Sequence, residues 1–461
     1  MHISKQSKRR GHTTRATAVL LSAWVSAAMA TDFDARSMAM GGTGVTSASL
    51  GAAALFNPAL LAAPDSGDHF ALILPAIGAQ ATDQGDVHNK VRDLQNGAYD
   101  ASVNDYHAFQ NNPTSASATA LSGDLLGLNG GLAGLSGQPI DIQAGLVPFS
   151  LAFHNPVLSV GVFTNAYADI AARFNYAASD ATTLNDYSTL LGSIAPDINR
   201  LNSGSETQAQ KTALEATLSS PQYGQLINSG CASSLNASST AQNVASCFND
   251  PSNTVASSVQ AVGAVIGEVG VALAMQADGI AFGVTPKVLM VKTFYYDKVV
   301  QNNTSFSMQN SSKDYTAVNA DLGAAYVLPG TPYKVGVVVK NLVPETFSTV
   351  TDSFGNRVDI KINPQVSAGA EAHWSRATVT ADLDLTRNQA PVPWGQADQF
   401  LSLGGELDLW LVQLRAGYRT NLANGPLRNE VSAGMGLGPI DLAATYGAHT
   451  VGAVAQLGFA F

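Results

Sequence analysis

From Ala377 to Arg387 the chain alternates: Val379, Ala381, Leu383 and Leu385 fall on one phase, and Thr378, Thr380, Asp382, Asp384 and Thr386 on the other. Leu401, Leu403, Leu407 and Leu409 likewise interleave with Ser402, Gly404, Glu406 and Asp408. Between Val366 and Trp374 the apolar set Val366, Ala368, Ala370, Ala372 and Trp374 opposes Ser367, Gly369, Glu371 and His373. Successive side chains of a strand point to opposite faces, so a period of two marks a strand with one apolar and one polar face. The pattern recurs often enough to predict about fourteen strands. They lie near residues 69–79, 139–153, 157–174, 262–276, 279–297, 314–328, 333–343, 362–374, 376–387, 399–409, 411–421, 428–437, 439–447 and 450–461. Short connections alternate with long ones, the long ones falling at 80–138, 175–261, 298–313, 344–361, 388–398 and 422–427. Only the last hairpin, around Ala448, is short where a long loop is expected.

Composition decides what the apolar face meets. Charged residues make up 13% of the chain, roughly half the usual share. The first thirty residues read as an export signal: Lys5, Lys8, Arg9, Arg10 and Arg15, an apolar core from Ala16 to Ala27, then Ala28-Met29-Ala30 as the cleavage site. That apolar core is too short to span a bilayer, which takes roughly 20 residues. Later, the best spanning candidate, Val262 to Met275, is short and contains Glu268. In lipid every backbone polar group must be paired internally, which leaves a closed barrel as the alternative to helices. The expected fold is therefore all-β, a transmembrane antiparallel β-barrel with partly helical outer loops. An even strand number with short turns on one side places both termini in the periplasm of a Gram-negative outer membrane. The expected division is 1–30 signal peptide, 31–68 N-terminal segment and 69–461 barrel, with large outer loops at 80–138 and 175–261.

Charge narrows the partners. Removing the signal takes the basic residues from 24 to 19 against 34 acidic ones, moving the net charge from −10 to −15. Nucleic-acid binding, which needs Lys and Arg against phosphates, is not expected. Cys231 and Cys247 suit an oxidising compartment and are expected to form a disulfide across the second outer loop. No Cys-x-x-Cys is present, so neither thioredoxin-like chemistry nor a zinc knuckle is supported. In the outer loops, helices are expected near 182–201, 205–219 and Val87–Leu94, and Gly-rich turns over Gly123–Gly137.

Aromatic residues gather at the predicted strand ends: Tyr326, Tyr333, Trp374, Trp410 and Phe461 beside short turns, and Phe294, Tyr315, Tyr418 and Tyr446 nearer the long loops. Two interfacial girdles would place them so. Leu457, Phe459 and Phe461 share one face of the last strand and resemble the terminal signal read by the barrel-assembly machinery. Pro75, Pro148 and Pro286 fall within predicted strands, where proline cannot donate to the ladder, so each should mark a bulge or kink. The apolar phase also slips at Pro148, making Pro75 and Pro148 candidates for a lateral portal; a bulge that merely bends the wall is the alternative. No nucleophile elbow, His-Glu-x-x-His, P-loop or dinucleotide fingerprint occurs, and no spacing defines a metal site. No catalytic role and no cofactor are expected. His449 with Asp441 is the one pair that could be drawn as a rim catalyst. The inward acids Glu268, Glu371, Asp382, Asp384, Glu406 and Asp408, with Lys287, Lys334, Lys340, Arg415 and Arg419, are expected to form lumen salt bridges.

Residues 35–45 read Ala-Arg-Ser-Met-Ala-Met-Gly-Gly-Thr-Gly-Val, and after eleven more residues comes Asn57-Pro58-Ala59-Leu60-Leu61. This pattern resembles the N-terminal signature of the barrel superfamily that includes the FadL-type long-chain fatty-acid channels. Within it the similarity is greatest to the conjugal-transfer TraF-like outer-membrane family, and the Phe-Ala-Leu-Ile-Leu-Pro-Ala stretch after Asp68 adds to it. The resemblance implies that Gly41, Gly42, Gly44, Asn57 and Pro58 belong to a hatch folded inside the barrel, with hydrophobic ligands leaving through a side opening. Glycine allows close backbone approach in a crowded lumen, and Asn-Pro favours a turn. Two functions stay open: passive transport of hydrophobic small molecules, or a structural barrel contacting conjugation or secretion proteins. An apolar chamber under the cap would favour the first, a lumen filled by salt bridges the second.

Overall fold

A computed structural model describes residues 33–461 except 66, 229, 231–238, 250–254, 301–310, 352–355, 390–393, 395–396, 424 and 426–428. The expected signal peptide and Cys231 lie outside the described residues. Eighteen strands are described: β1 (Phe70–Thr82), β2 (Pro139–Phe153), β3 (Ser159–Asn175), β4 (Ser258–Ala277), β5 (Ile280–Val299), β6 (Ser312–Val327), β7 (Tyr333–Lys340), β8 (Glu345–Ser348), β9 (Asp359–Ile362), β10 (Gln365–Trp374), β11 (Ala377–Asp384), β12 (Asn388–Gln389), β13 (Ala397–Asp398), β14 (Phe400–Asp408), β15 (Val412–Asn421), β16 (Asn429–Leu437), β17 (Ile440–Gly447) and β18 (Thr450–Ala460). Fourteen of them close into one antiparallel barrel; β8–β9 and β12–β13 form separate hairpins.

Closure satisfies the backbone ladder on every side, which a sheet edge facing lipid could not do. Along β4, Val269, Val271, Leu273 and Met275 point outward and are exposed, while Gly270, Ala272 and Ala274 alternate with them inward. The seam joins β1 to β18, where the Phe70 and Phe461 backbones bond reciprocally. Leu457, Phe459 and Phe461 all lie exposed on the outer face.

Two of the three strand prolines shift the register. On β1, Leu74 and Pro75 together oppose Leu457; on β2, Val147 and Pro148 oppose Asn165. The bulges sit side by side, because Ile73 pairs with Ser150 and Ala76 with Val147. Pro286 behaves differently from expectation: it pairs with Ala320 in an unbroken register against β6. Its missing donor interrupts only the β4 side, where pairing lapses between Gly270–Lys287 and Leu273–Val284 without a shift.

The aromatic positions also divide. Tyr333, Trp374, Trp410, Phe461, Tyr418 and Tyr446 are exposed. Phe294 is instead buried, its ring over Gly263, and the Tyr315 hydroxyl donates to the Ser348 carbonyl at 2.6 Å. Phe294 thus packs on the neighbouring wall strand β4, and Tyr315 packs against Phe347 of the β8–β9 hairpin.

Above the barrel stands a helical cap built from Val87–Leu94, Asp100–Asn111, Ser115–Leu135, Ala178–Ser203 and Gln208–Leu218. The predicted Gly-rich turns are in fact the second half of a 21-residue helix. Thr114 and Ser117 form a capping box at its start, and Leu121, Leu125, Leu128, Leu132 and Leu135 recur at helical spacing. Their face packs into the cap core with Leu190, Leu191 and Ile194. The glycines lie on the other side, where Gly123, Gly130 and Gly134 meet open space. Buried leucines thus outweigh the cost of glycine, about 1 kcal/mol each in a helix interior. Cys247 is fully buried in the same core.

Candidate functional site

Residues 33–64 fold as a plug inside the lumen. It comprises a short helix at Ala35–Ala39, another at Ala53–Phe56 and a 3-10 turn at Pro58–Leu61. Asp34 caps the first helix, accepting from the Ser37 N–H at 2.8 Å. Asn57 does the same for the 3-10 turn, accepting from the Ala59 N–H at 3.1 Å while its amide donates to the Val45 carbonyl at 2.8 Å. Asn57 and Pro58 therefore make a rigid corner, as the Asn-Pro pair suggests.

The wall grips this plug from many sides. Gly44 and Val45 donate their N–H groups to one oxygen of Asp382, at 2.7 and 2.9 Å. The Gly41 N–H donates to the Ser432 hydroxyl at 2.9 Å, and Ala35 to the Gln456 side chain at 3.1 Å. The Ser150 hydroxyl donates to the Gly51 carbonyl at 2.6 Å. Arg36 makes a two-pronged contact with Glu406, both bonds 2.9 Å; Glu406 also holds Arg415 at 2.6 Å, and Arg415 reaches Asp441. Lys334 bridges Asp65 and Glu371. Close approach explains Gly41, whose φ is +75° and whose added Cβ would lie 2.9 Å from the Leu403 and Tyr418 carbonyl oxygens. Opposite it, a side chain at Gly417 would overlap the plug backbone.

The lumen charges mostly behave as expected. Lys287 joins Glu268 at 3.2 Å and Asp321 at 3.0 Å across β4, β5 and β6, and Arg419 pairs with Glu430 at 2.6 Å. Asp382 departs from the expectation by accepting from the plug backbone, and Asp384 accepts from the Phe400 N–H at 2.9 Å and the Ser367 hydroxyl at 2.8 Å. The rim pair dissolves. Asp441 is committed to Arg415, whereas His449 sits against the Asp83 carbonyl on another part of the barrel.

Above the plug lies a chamber of about 310 Å³. Its floor includes Gly41, Gly42, Gly44 and Phe56; its sides carry Asp141, Asp169, Asp384 and Arg419; Asp398 and Lys361 come from outer loops. The lining is predominantly polar and charged. Asp398, on the β12–β13 hairpin, is pushed up to about 7 by burial, against the lowering influence of Arg419. Asp141 and Asp169 were not among the candidates read from the sequence. Both occupy the inward phase of their strands, but only the register brings them to one chamber. The bulges at Pro75 and Pro148 lie apart from this lining, nearer the end of the barrel that carries Phe461.

Structure and sequence together define a transmembrane-type barrel with an internal plug and a polar outer chamber. Residues 54–384 match the family described as F plasmid transfer operon, TraF, protein, and the chain belongs to that family. Among solved structures, the Ralstonia pickettii toluene transporter TbuX is similar over 94% of this chain and 99% of its own, at 13% identity and a TM-score of 0.44. The CymD monoaromatic hydrocarbon channel is similar over 92% and 95%, at 11% identity and a TM-score of 0.43. No curated protein matches the sequence.

Proposed function

We propose that the protein is a passive outer-membrane channel, both termini periplasmic, in which residues 33–64 act as a hatch between the outer chamber and the periplasm. The observation that carries this reading is the hatch's mode of attachment. Its first part, residues 35–45, is held by discrete polar contacts from the wall, Asp382, Glu406, Ser432 and Gln456, which can be exchanged for water, whereas Leu50, Phe56, Leu60 and Leu61 pack in an apolar cluster with Ile73, Val147 and Phe163 of the wall. Ion pairs in low-dielectric surroundings give little net stability, so residues 35–45 are the part of the hatch that can let go of the wall while the apolar part stays packed. The predominantly polar lining supports small polar solutes over the hydrophobic ones first expected. A disulfide between Cys231 and Cys247 would brace the cap around the chamber's outer mouth.

Liposome swelling with a small neutral sugar tests the reading. The wild type should admit the sugar slowly, and Arg36→Ala with Asp382→Asn should admit it faster. Equal rates for the two proteins would overturn the hatch as a gate. The family match favours a second reading, a barrel that serves a conjugation apparatus through its helical cap. Unchanged swelling together with loss of plasmid transfer on cap deletion would select it.

A further inference from the structure

We infer that the outer chamber binds a small organic ammonium ion between Asp141 and Asp169, with Asp398 facing them. This deepens the channel reading and rests on it. Asp141 on β2 and Asp169 on β3 are 7% and 4% exposed, and both line the chamber. Asp169 pairs with Gln143 and Asp141 with Ala171, so the two carboxyl groups sit diagonally on one inward face. Diagonal neighbours of this kind lie about 7–8 Å apart at the backbone, within reach of one another's side chains. Asp398 approaches from the outer hairpin closely enough to act on both.

What sets these acids apart is what they lack. Among the described residues no base pairs with Asp141 or Asp169; the two carboxyl groups lie within reach of each other, with Gln143 beside Asp169, but neither Asp169 oxygen nor Oδ1 of Asp141 has a donor in good geometry. Four bases line the chamber with them, Lys340, Lys361, Arg387 and Arg419, and two of these are engaged elsewhere. Arg419 holds Glu430 and lies over the Phe400 ring at 4.6 Å; Lys340 lies over Phe56 at 5.2 Å. Burying like charges without a counterion is costly. A cation drawn from the medium removes that cost.

The geometry favours an ammonium over a metal. Among the described residues no three carboxylate or imidazole groups converge as metal ligands, and a bare divalent cation needs six or more oxygens at short, defined distances. An alkylammonium needs only two or three acceptors around three donors. Tyr167, inward on β3 two residues from Asp169, also lines the chamber and would lie beside the alkyl chain. A chamber of about 310 Å³ has room for such a molecule.

Calorimetric titration of the full chain in detergent micelles tests the site with three probes of one skeleton: n-butylammonium, butan-1-ol and butyrate. Only butylammonium should bind saturably, and less tightly as sodium chloride is raised. Asp169→Asn should weaken it by about ten-fold or more, the loss expected for one charge-assisted contact. Asp314→Asn, an exposed carboxyl outside the chamber, should leave binding unchanged. Equal binding of butanol, insensitivity to salt, or full affinity in Asp169→Asn would each overturn the proposal. Asp141→Asn provides the same reading should Asp169→Asn fail to assemble. Titration needs no passage through the barrel, so the two proposals separate. Binding without swelling sinks the channel and keeps the site, and swelling without preference for the ammonium does the reverse.

Discussion

The two halves of the lumen solve the problem of buried charge in opposite ways. On the plug side most acids meet bases: Lys287 sits between Glu268 and Asp321, and Arg36 and Arg415 converge on Glu406, while Asp382 accepts from the plug backbone. In the outer chamber, Asp141 and Asp169 face each other without a base. Both sets occupy the polar phase of similar strands, so alternation alone does not separate them. The difference is what fills the space. Below, the chain supplies its own counterions and the lumen is solid; above, it leaves acids unanswered beside an open chamber. A base beside most acids marks structure, and a pair of acids with none beside a chamber marks a place prepared for something from outside.

Removing a charge should therefore have opposite consequences in the two halves. Lys287→Met strands Glu268 and Asp321 in the wall and should cost about 3–5 kcal/mol, read as a lower urea midpoint in micelles. Asp169→Asn removes an unanswered charge and should leave the midpoint equal or higher. Similar losses in both variants would erase the contrast. In the cap, Leu121→Ala should cost about 2–5 kcal/mol, since Leu121 is almost fully buried in the cap core. Protease should then cut the cap while the barrel stays intact. Cutting within the barrel would mean that cap and wall fold as one unit.

Asp398 sharpens the comparison through pH. Its folded value of about 7 lies above the ordinary carboxyl value near 4. Ionising it therefore opposes folding: the penalty is absent below about pH 4, grows as pH rises and is complete above about pH 7. Asp398→Asn should raise the melting temperature at pH 8 by about 2 °C and leave it unchanged at pH 4. An equal shift at both would mean that burial of its charge is not what distinguishes Asp398. The smallest effect belongs to Gly130, exposed on the cap helix with open space around it. Gly130→Ala should stabilise the cap by about 0.5–1 kcal/mol, visible as slower proteolysis.

The fourteen barrel strands were legible because lipid outside and polar lumen inside force a period of two at every wall position. The Ser115–Leu135 helix was obscured by its glycines, although Leu121, Leu125, Leu128, Leu132 and Leu135 carry the helical spacing that the core selects. Pro75 and Pro148 signalled their bulges through the slipped apolar phase; at Pro286 no phase slips, and the register holds. Inward glycines such as Gly417 gave no hint of their task. They leave room for the plug backbone, a partner hundreds of residues away in sequence. Asp141 and Asp169 were hidden for the same reason. Each looks like one more lumen acid until the β2–β3 register sets them side by side.

Single-channel recording in planar bilayers tests the hatch most directly. Arg36→Ala removes a buried two-pronged pair with Glu406, and an opening equilibrium eased by about 3 kcal/mol shifts roughly a hundred-fold. Openings should be rare and brief in the wild type, and frequent and long at the same conductance in Arg36→Ala. Records in which both proteins stay equally closed would contradict this.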